Sequence, residues 1–308
     1  MALFIRFLLW SFYFLLIVMN LWQEIKESFR EGSVLTRLIY INLGVFLIVR
    51  LLNVFYFLSG TPFPFLDWLA LPADFSTLAS RPWTLLTYMF LHFDFLHILF
   101  NLLWLYWMGQ VFLTYFDQRK LVAVYTMGGL LGGIFYIAGY NSFPVFNEIV
   151  TDSRLLGASA SVIAIVTALA VHAPNHTLNL MFIGQVKMKY IALFSVVMYV
   201  IGISSSNAGG NLAHLGGAFW GVIYVLQLRR GLDLGKWVTS FFSGIQKLFR
   251  PKPKVKISYR KPVDDIEYNR VRNQEKTRIN EILDKISKSG YDSLSKEEKE
   301  ILFRMGKE

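Results

Sequence analysis

Apolar runs of about 20 residues, the length that crosses a bilayer as one helix, recur along this chain. Six are placed at roughly 36–58, 84–109, 121–140, 155–172, 190–206 and 211–228. Only the small, polar stretch from Ser204 to Gly210 separates the fifth from the sixth. The pattern predicts an all-α polytopic membrane protein with a six-span core over residues 36–228.

Lys and Arg set the orientation. One set of connections carries Lys26, Arg30 and Arg37, then Arg119 and Lys120, then Lys187 and Lys189, then a basic tail. The other set carries Arg81 and Arg154 beside Asp67, Asp74, Glu148 and Asp152. Both termini of the core are therefore expected on the cytoplasmic side.

Residues 1–35 form an apolar segment and a polar lead-in. Leu3 to Trp22 is apolar apart from Arg6, Ser11 and Asn20 and lacks the cleavage pattern of a signal peptide. It reads as a seventh span, an interfacial helix, or sequence upstream of a start at Met19. The last is favoured because Met19 leaves the polar lead-in Gln23 to Arg37.

Beyond the sixth span the pattern changes. Over 229–263, Trp237, Phe241, Ile245 and Phe249 recur every four residues near Lys236, Lys247 and Arg250, as in an amphipathic helix on the membrane surface. A plain helical linker fits the same residues. Over 264–308 the chain is charged and soluble. Ile279, Ile282, Leu283 and Ile286 form one helical stripe. Ser295 to Glu298 is a capping box opening a second short helix with Ile301, Leu302 and Met305 on its apolar face.

Composition agrees. The 308 residues are 54% hydrophobic and 17% charged, with mean hydropathy +0.43, which excludes one large soluble core. Cysteine is absent, so disulfides and thiolate metal sites are excluded. The net charge of +10 is concentrated between Arg229 and Lys261, where ten basic residues meet one acid, Asp233. A basic cluster directly after the last span suits anionic lipid headgroups. No nucleic-acid-binding signature accompanies it.

Polar side chains inside spans are expensive and mark candidate chemistry. Ser159 sits in Gly157-Ala158-Ser159-Ala160-Ser161 at the start of the fourth span, where small neighbours permit close approach. A helix N-terminus there would supply unpaired N–H groups for an oxyanion. His214 lies in the sixth span with Gly217 and Gly221 on or near its face, so it can pack against the small face of the fourth. An imidazole bonded to a serine hydroxyl is the minimum activated nucleophile. His92, His97 and Asn101 lie in the second span, with His97 and Asn101 four apart on one face, a donor pair that suits an oxyanion hole. Each site also has a structural reading, as a backbone-bonded hydroxyl or an interhelical hydrogen bond. Gly128 to Gly133 reads as tight packing, and His172 and His176 read as solvated loop histidines. No intramembrane carboxylate joins the histidines, so no metal site is expected, and no cofactor is implied.

Together these segments resemble the rhomboid family of intramembrane serine proteases over about residues 36–228. His97-Ile98-Leu99-Phe100-Asn101 is similar to the family's H-x-x-x-N motif, Gly157-Ala158-Ser159 to its G-x-S motif, and His214 with Gly217 and Gly221 to its sixth-span motif. Trp83 to Phe93 looks like its approach to the second span. The resemblance implies a six-helix bundle cleaving membrane-protein substrates by a serine–histidine dyad. Ser159 would be the nucleophile and His214 the general base, with no acidic third member. His97 and Asn101, with the Ser159 N–H, would bind the oxyanion, Gly157 would admit the substrate strand, and His92 would join this substrate-binding group. The loop at about 60–82 would be the family's half-embedded first loop. The chain departs from the pattern at Ala160, at Ile163 in place of an aromatic residue stacking on the histidine, and at Thr84 with Arg81 nearby. Two other functions stay open: a non-catalytic relative that binds membrane clients, and a small-molecule or proton transporter.

Overall fold

The six apolar runs become six helices in the computed structural model of the protein, which describes residues 20, 22–181, 183–238, 240, 244 and 265–305. They are α1 (Val34–Leu58), α2 (Phe95–Tyr115), α3 (Gln118–Ser142), α4 (Ser159–His172), α5 (Met188–Ile201) and α6 (Ala208–Arg229). All lie in one compact unit, Met1–Phe249, while Arg250–Glu308 forms a second. Of the N-terminal apolar segment only Asn20 and Trp22 are described, both helical like residues 23–31, and most residues assigned to a surface helix after the sixth span lie outside the described residues.

Local chemistry sets several helix ends. The Ser33 hydroxyl accepts the Thr36 N–H at 3.2 Å to start α1, and the Asp117 carboxylate accepts the Lys120 N–H at 3.0 Å to start α3. Arg229 donates to the Val171 carbonyl at 2.5 Å, satisfying an orphan acceptor at the end of α4.

Three helices, α1, α2 and α3, are each long and apolar enough to cross a membrane. The other three differ from the expectation of six full spans for visible reasons. At 14 residues each, α4 and α5 are short, and α6 is diluted by glycines, Asn211 and His214. Helices α1 and α5 present large apolar side chains outward, including Leu51, Phe55, Phe194 and Ile201. An apolar exterior of this kind belongs to an integral membrane protein.

The second run does not fold as one helix from residue 84. A short helix (Thr84–Thr87) and a 3₁₀ turn (Tyr88–Phe90) come first, then extended backbone at Leu91 and Asp94, and only then α2. Apolar content alone gives no sign of this break, because Leu91 and Phe93 are as apolar as their neighbours.

Core packing centres on α4, which is buried along most of its length between α3 and α6. Asn42 of α1 is fully buried; its amide donates to Leu38 O at 2.8 Å and to the Tyr125 hydroxyl of α3 at 3.1 Å, and that hydroxyl donates to Met89 O at 3.2 Å. Tyr88 donates to Gly129 O at 2.5 Å. These bonds pin the broken segment before α2 against α3.

Between α1 and α2 the chain forms two more short helices (Phe65–Leu69 and Phe75–Ser80) around strand β1 (Leu71–Pro72). Strand β1 pairs antiparallel with β2 (Arg154–Leu155), Leu71 opposite Leu155. A second hairpin, β3 (Thr177–Leu180) and β4 (Gly184–Lys187), joins α4 to α5.

In the second unit, α7 (Asp265–Ser289) and α8 (Lys296–Met305) form the expected helix pair. The capping box is present: Glu298 accepts the Ser295 N–H at 2.7 Å and Ser295 accepts the Glu298 N–H at 3.2 Å. Ile282 and Leu294 are buried, but Leu283 is half exposed and leaves the expected stripe.

Candidate active site

The chain reaches Ser159 along a path fixed at each residue. Strand β2 ties the segment to the 60–82 loop, and the Arg154 guanidinium reinforces the tie by pairing with Asp67 at 3.1 Å. Gly157 then adopts φ +119°, a conformation open to glycine and strained for other residues. Its N–H donates to Tyr88 O at 2.9 Å. The next N–H, of Ala158, donates to His92 Nε2 at 3.3 Å. Helix α4 begins at Ser159, and its first turn closes with the Val162 N–H on Ala158 O at 3.0 Å. The N–H groups of Ser159 and Ala160 therefore have no intrahelical acceptor and carry the positive end of the helix dipole.

Helix α6 brings the second group. His214 Nε2 lies 2.6 Å from Ser159 Oγ, a hydrogen bond between residues 55 apart in sequence. Two glycines on α6 make this approach possible. A Cβ on Gly217 would stand 2.1 Å from Ala160 O, and one on Gly221 would stand 2.2 Å from Ala164 O. The Thr167 hydroxyl also donates across this contact, to Ala218 O at 3.1 Å. On its other side α4 meets the glycine face of α3, where a Cβ on Gly132 would lie 2.6 Å from the Ala160 Cβ.

A cavity of about 890 Å³ opens beside the pair. Its walls include Ser159, His214, His97, Asn101 and Gly157. His97 packs directly on Gly157, where a Cβ would meet its Cε1 at 2.7 Å. Asn101 spends one amide N–H on His97 O at 2.9 Å, and an amide carries two. His92 is placed differently from the other predicted residues. It is fully buried behind the segment, accepting from Ala158 at Nε2 and facing Phe90 O from Nδ1 at 3.4 Å. It does not line the cavity: its contacts are with the backbone that presents Ser159 and, edge-on at 5.1 Å between centroids, with the ring of His97.

Two cavity residues escape a sequence reading, Ser195 and Tyr199 of α5. Tyr199 packs on the His214 ring with centroids 4.3 Å apart. The only signal for them is their spacing of four, which puts both on one face of an otherwise apolar helix.

Other expectations need correction. His172 is exposed, as expected, but also carries the rings of Tyr115 and Phe116 at 5.4 and 4.4 Å, and His176 is only partly exposed, with Tyr115 Oη 2.9 Å from its Nδ1. The 60–82 loop is anchored despite Thr84. Arg81 donates to Asp67 O at 2.8 Å and lies over the Trp68 ring, while Trp83 stacks on Trp68 and donates to its carbonyl at 2.8 Å. Among the described residues no group of three or more His, Asp or Glu side chains is placed to hold a metal ion.

Comparison with known proteins points the same way. A family profile described as the rhomboid domain matches residues 79–231, and a second, a family of unknown function (DUF6576), matches residues 263–308. RHOMBOID-like protein 12, mitochondrial, of Arabidopsis thaliana is 28% identical over 219 residues, 68% of this chain and 62% of that protein. Rhomboid protease GlpG of Klebsiella pneumoniae is 37% identical over 70 residues, 23% of this chain and 25% of that protein. GlpG of Salmonella newport is 37% identical over 79 residues, 26% of this chain and 28% of that protein. The chain thus spans about three-fifths of the plant relative and about a quarter of each bacterial one.

Proposed function

This chain belongs to the rhomboid family, and on that premise we propose that it is an intramembrane serine endopeptidase with Ser159 as nucleophile and His214 as general base. The observation that carries the reading is the 2.6 Å contact between Ser159 Oγ and His214 Nε2 at the wall of a cavity.

In this reaction Ser159 Oγ attacks the carbonyl carbon of a substrate peptide bond as its proton passes to His214 Nε2. The developing oxyanion would take the Ser159 N–H at the start of α4 and the side-chain donors of Asn101 and His97. Collapse of the tetrahedral intermediate breaks the C–N bond, and the leaving amine takes the proton from His214. Water then attacks the acyl ester, returning its own proton through His214 and releasing Ser159. Gly157 would border an extended substrate strand at the cavity wall, the space of its missing side chain being taken by His97. His92 would act indirectly, by holding the Ala158 N–H and hence the turn that presents Ser159.

The six helices would form the membrane bundle, with short α4 and α5 completing their crossings through flanking turns. Lys and Arg would place both ends of the bundle in the cytoplasm and the cavity toward the opposite face. Membrane proteins are then the substrate class and a bacterial cytoplasmic membrane is the proposed location, the relatives themselves dividing between bacterial proteins and a mitochondrial one. The basic 229–261 segment would contact anionic headgroups. A non-catalytic role fits less well, because both members of the dyad are present and hydrogen-bonded.

The test is cleavage of a reconstituted single-span substrate. Wild-type protein should cut it and Ser159→Ala should not, while keeping its fold; full activity in that variant would remove the assignment.

A further inference from the structure

His214 has two ring nitrogens, and the contact with Ser159 uses Nε2. The other, Nδ1, is buried without a hydrogen-bond partner among the described residues. In a serine–histidine–aspartate triad the acid on that nitrogen fixes both the tautomer and the rotation of the ring. Here no carboxylate or carbonyl of the described residues does so, yet Nε2 must face Ser159 Oγ for the proton to move.

The side chain against the imidazole is Tyr199. The ring centroids are 4.3 Å apart with the planes at 52°, closer than the usual range for paired aromatic rings. Tyr199 arrives from α5, not from α4 beside the serine. One turn after Ser159 on α4 stands Ile163, an aliphatic chain whose Cγ2 packs toward Gly217. Among the described residues, the ring packed on His214 is therefore carried by a different helix.

We propose that Tyr199 is the positioning residue of the dyad: its ring, in place of a hydrogen-bonded acid, holds the His214 imidazole at the rotation that points Nε2 to Ser159. The proposal rests on the reading of Ser159 and His214 as a catalytic pair. Tyr199 takes no part in bond making, so its ring and not its hydroxyl is the working feature.

The position of Tyr199 in the fold gives the contact a consequence. The buried residues of α5, Met188, Ile191 and Ala192, all lie in its first half. In the second half Val197, Val200 and Ile201 face outward, and Ser195 and Tyr199 turn to the cavity. Alignment of the dyad is thus tied to the placement of the less buried end of α5, and moving that end outward withdraws the ring from His214.

Wild type, Tyr199→Leu and Tyr199→Phe are compared in proteoliposomes by two measurements. One is the rate of Ser159 phosphonylation by a fluorophosphonate, normalised to the final labelled fraction so that only folded sites count. The other is kcat and KM on a reconstituted single-span substrate. Tyr199→Leu should slow both phosphonylation and kcat about tenfold or more with KM little changed, within the ~10²-fold that a 1 Å misplacement can cost. Tyr199→Phe, which keeps the ring, should recover most of the rate. Wild-type rates in Tyr199→Leu would overturn the proposal while leaving the dyad intact. A lower labelled fraction at an unchanged rate would overturn it too, since that marks a purely structural role. So would a Tyr199→Phe variant as slow as Tyr199→Leu. Wild-type protein that is not labelled at Ser159 removes the dyad reading itself, and this proposal falls with it.

Discussion

Gly217 of α6 lies so close to the Ala160 carbonyl of α4 that an added Cβ would stand 2.1 Å from the oxygen. That spacing sets how near the two helices come, one turn from where His214 meets Ser159. Packing and chemistry are therefore one feature of this fold.

Gly217→Ala is expected to separate the two helices, because the obstacle is backbone and cannot rotate away. Overpacking of this kind costs about 1–3 kcal/mol. The thermal midpoint in detergent should fall, and substrate cleavage should drop by about 10²-fold, the cost of a displacement near 1 Å at a reacting centre. A variant with wild-type cleavage would show that α6 can be shifted without disturbing the dyad.

Ser161→Ala separates the two serines of the fourth-helix motif. The Ser161 hydroxyl is fully buried with no hydrogen-bond partner among the described residues. Removing an unsatisfied buried polar group is neutral to stabilising. The variant should cleave substrate as wild type does, with an equal or higher thermal midpoint. Loss of activity on removal of this hydroxyl alone would place the nucleophile wrongly.

The first loop should loosen in acid. The Asp74 carboxylate is held down at about 2 by hydrogen bonds from the Ser76 hydroxyl and from the Thr77 hydroxyl and N–H, against an ordinary 3.8. A depressed carboxylate stabilises the fold fully above its unfolded value, and the contribution fades as pH falls through the folded one. The extra amide protection of residues 75–80 in wild type relative to Asp74→Ala should be present at about pH 5 and should shrink toward about pH 2. A difference that does not change with pH would count against the cap as an ionic device.

Ser159 and His214 were legible in sequence because both need small neighbours to meet, and glycine three and seven residues after His214 is visible without coordinates. The tail's capping box was legible for a similar reason, as a local pattern satisfied by local bonds. The break at Leu91–Asp94 was not, since it is stabilised by distant partners, Tyr125 and Gly129 on α3 and Ala158 before α4. Nor was the inward turn of His92, whose acceptor nitrogen serves a backbone N–H 66 residues away. Tyr199 was hidden because a tyrosine in an apolar helix looks like any other bilayer-facing ring. Only the packing of α5 on α6 gives it a histidine to touch.

The central claim is that Ser159 is a nucleophile activated by His214. Its most direct test is treatment of the protein in membranes with a fluorophosphonate probe, followed by mass-spectrometric mapping of the adduct. Covalent labelling at Ser159, lost in Ser159→Ala and strongly reduced in His214→Ala, is the predicted result. An unlabelled Ser159 in folded wild-type protein, or labelling that persists in Ser159→Ala, would contradict it.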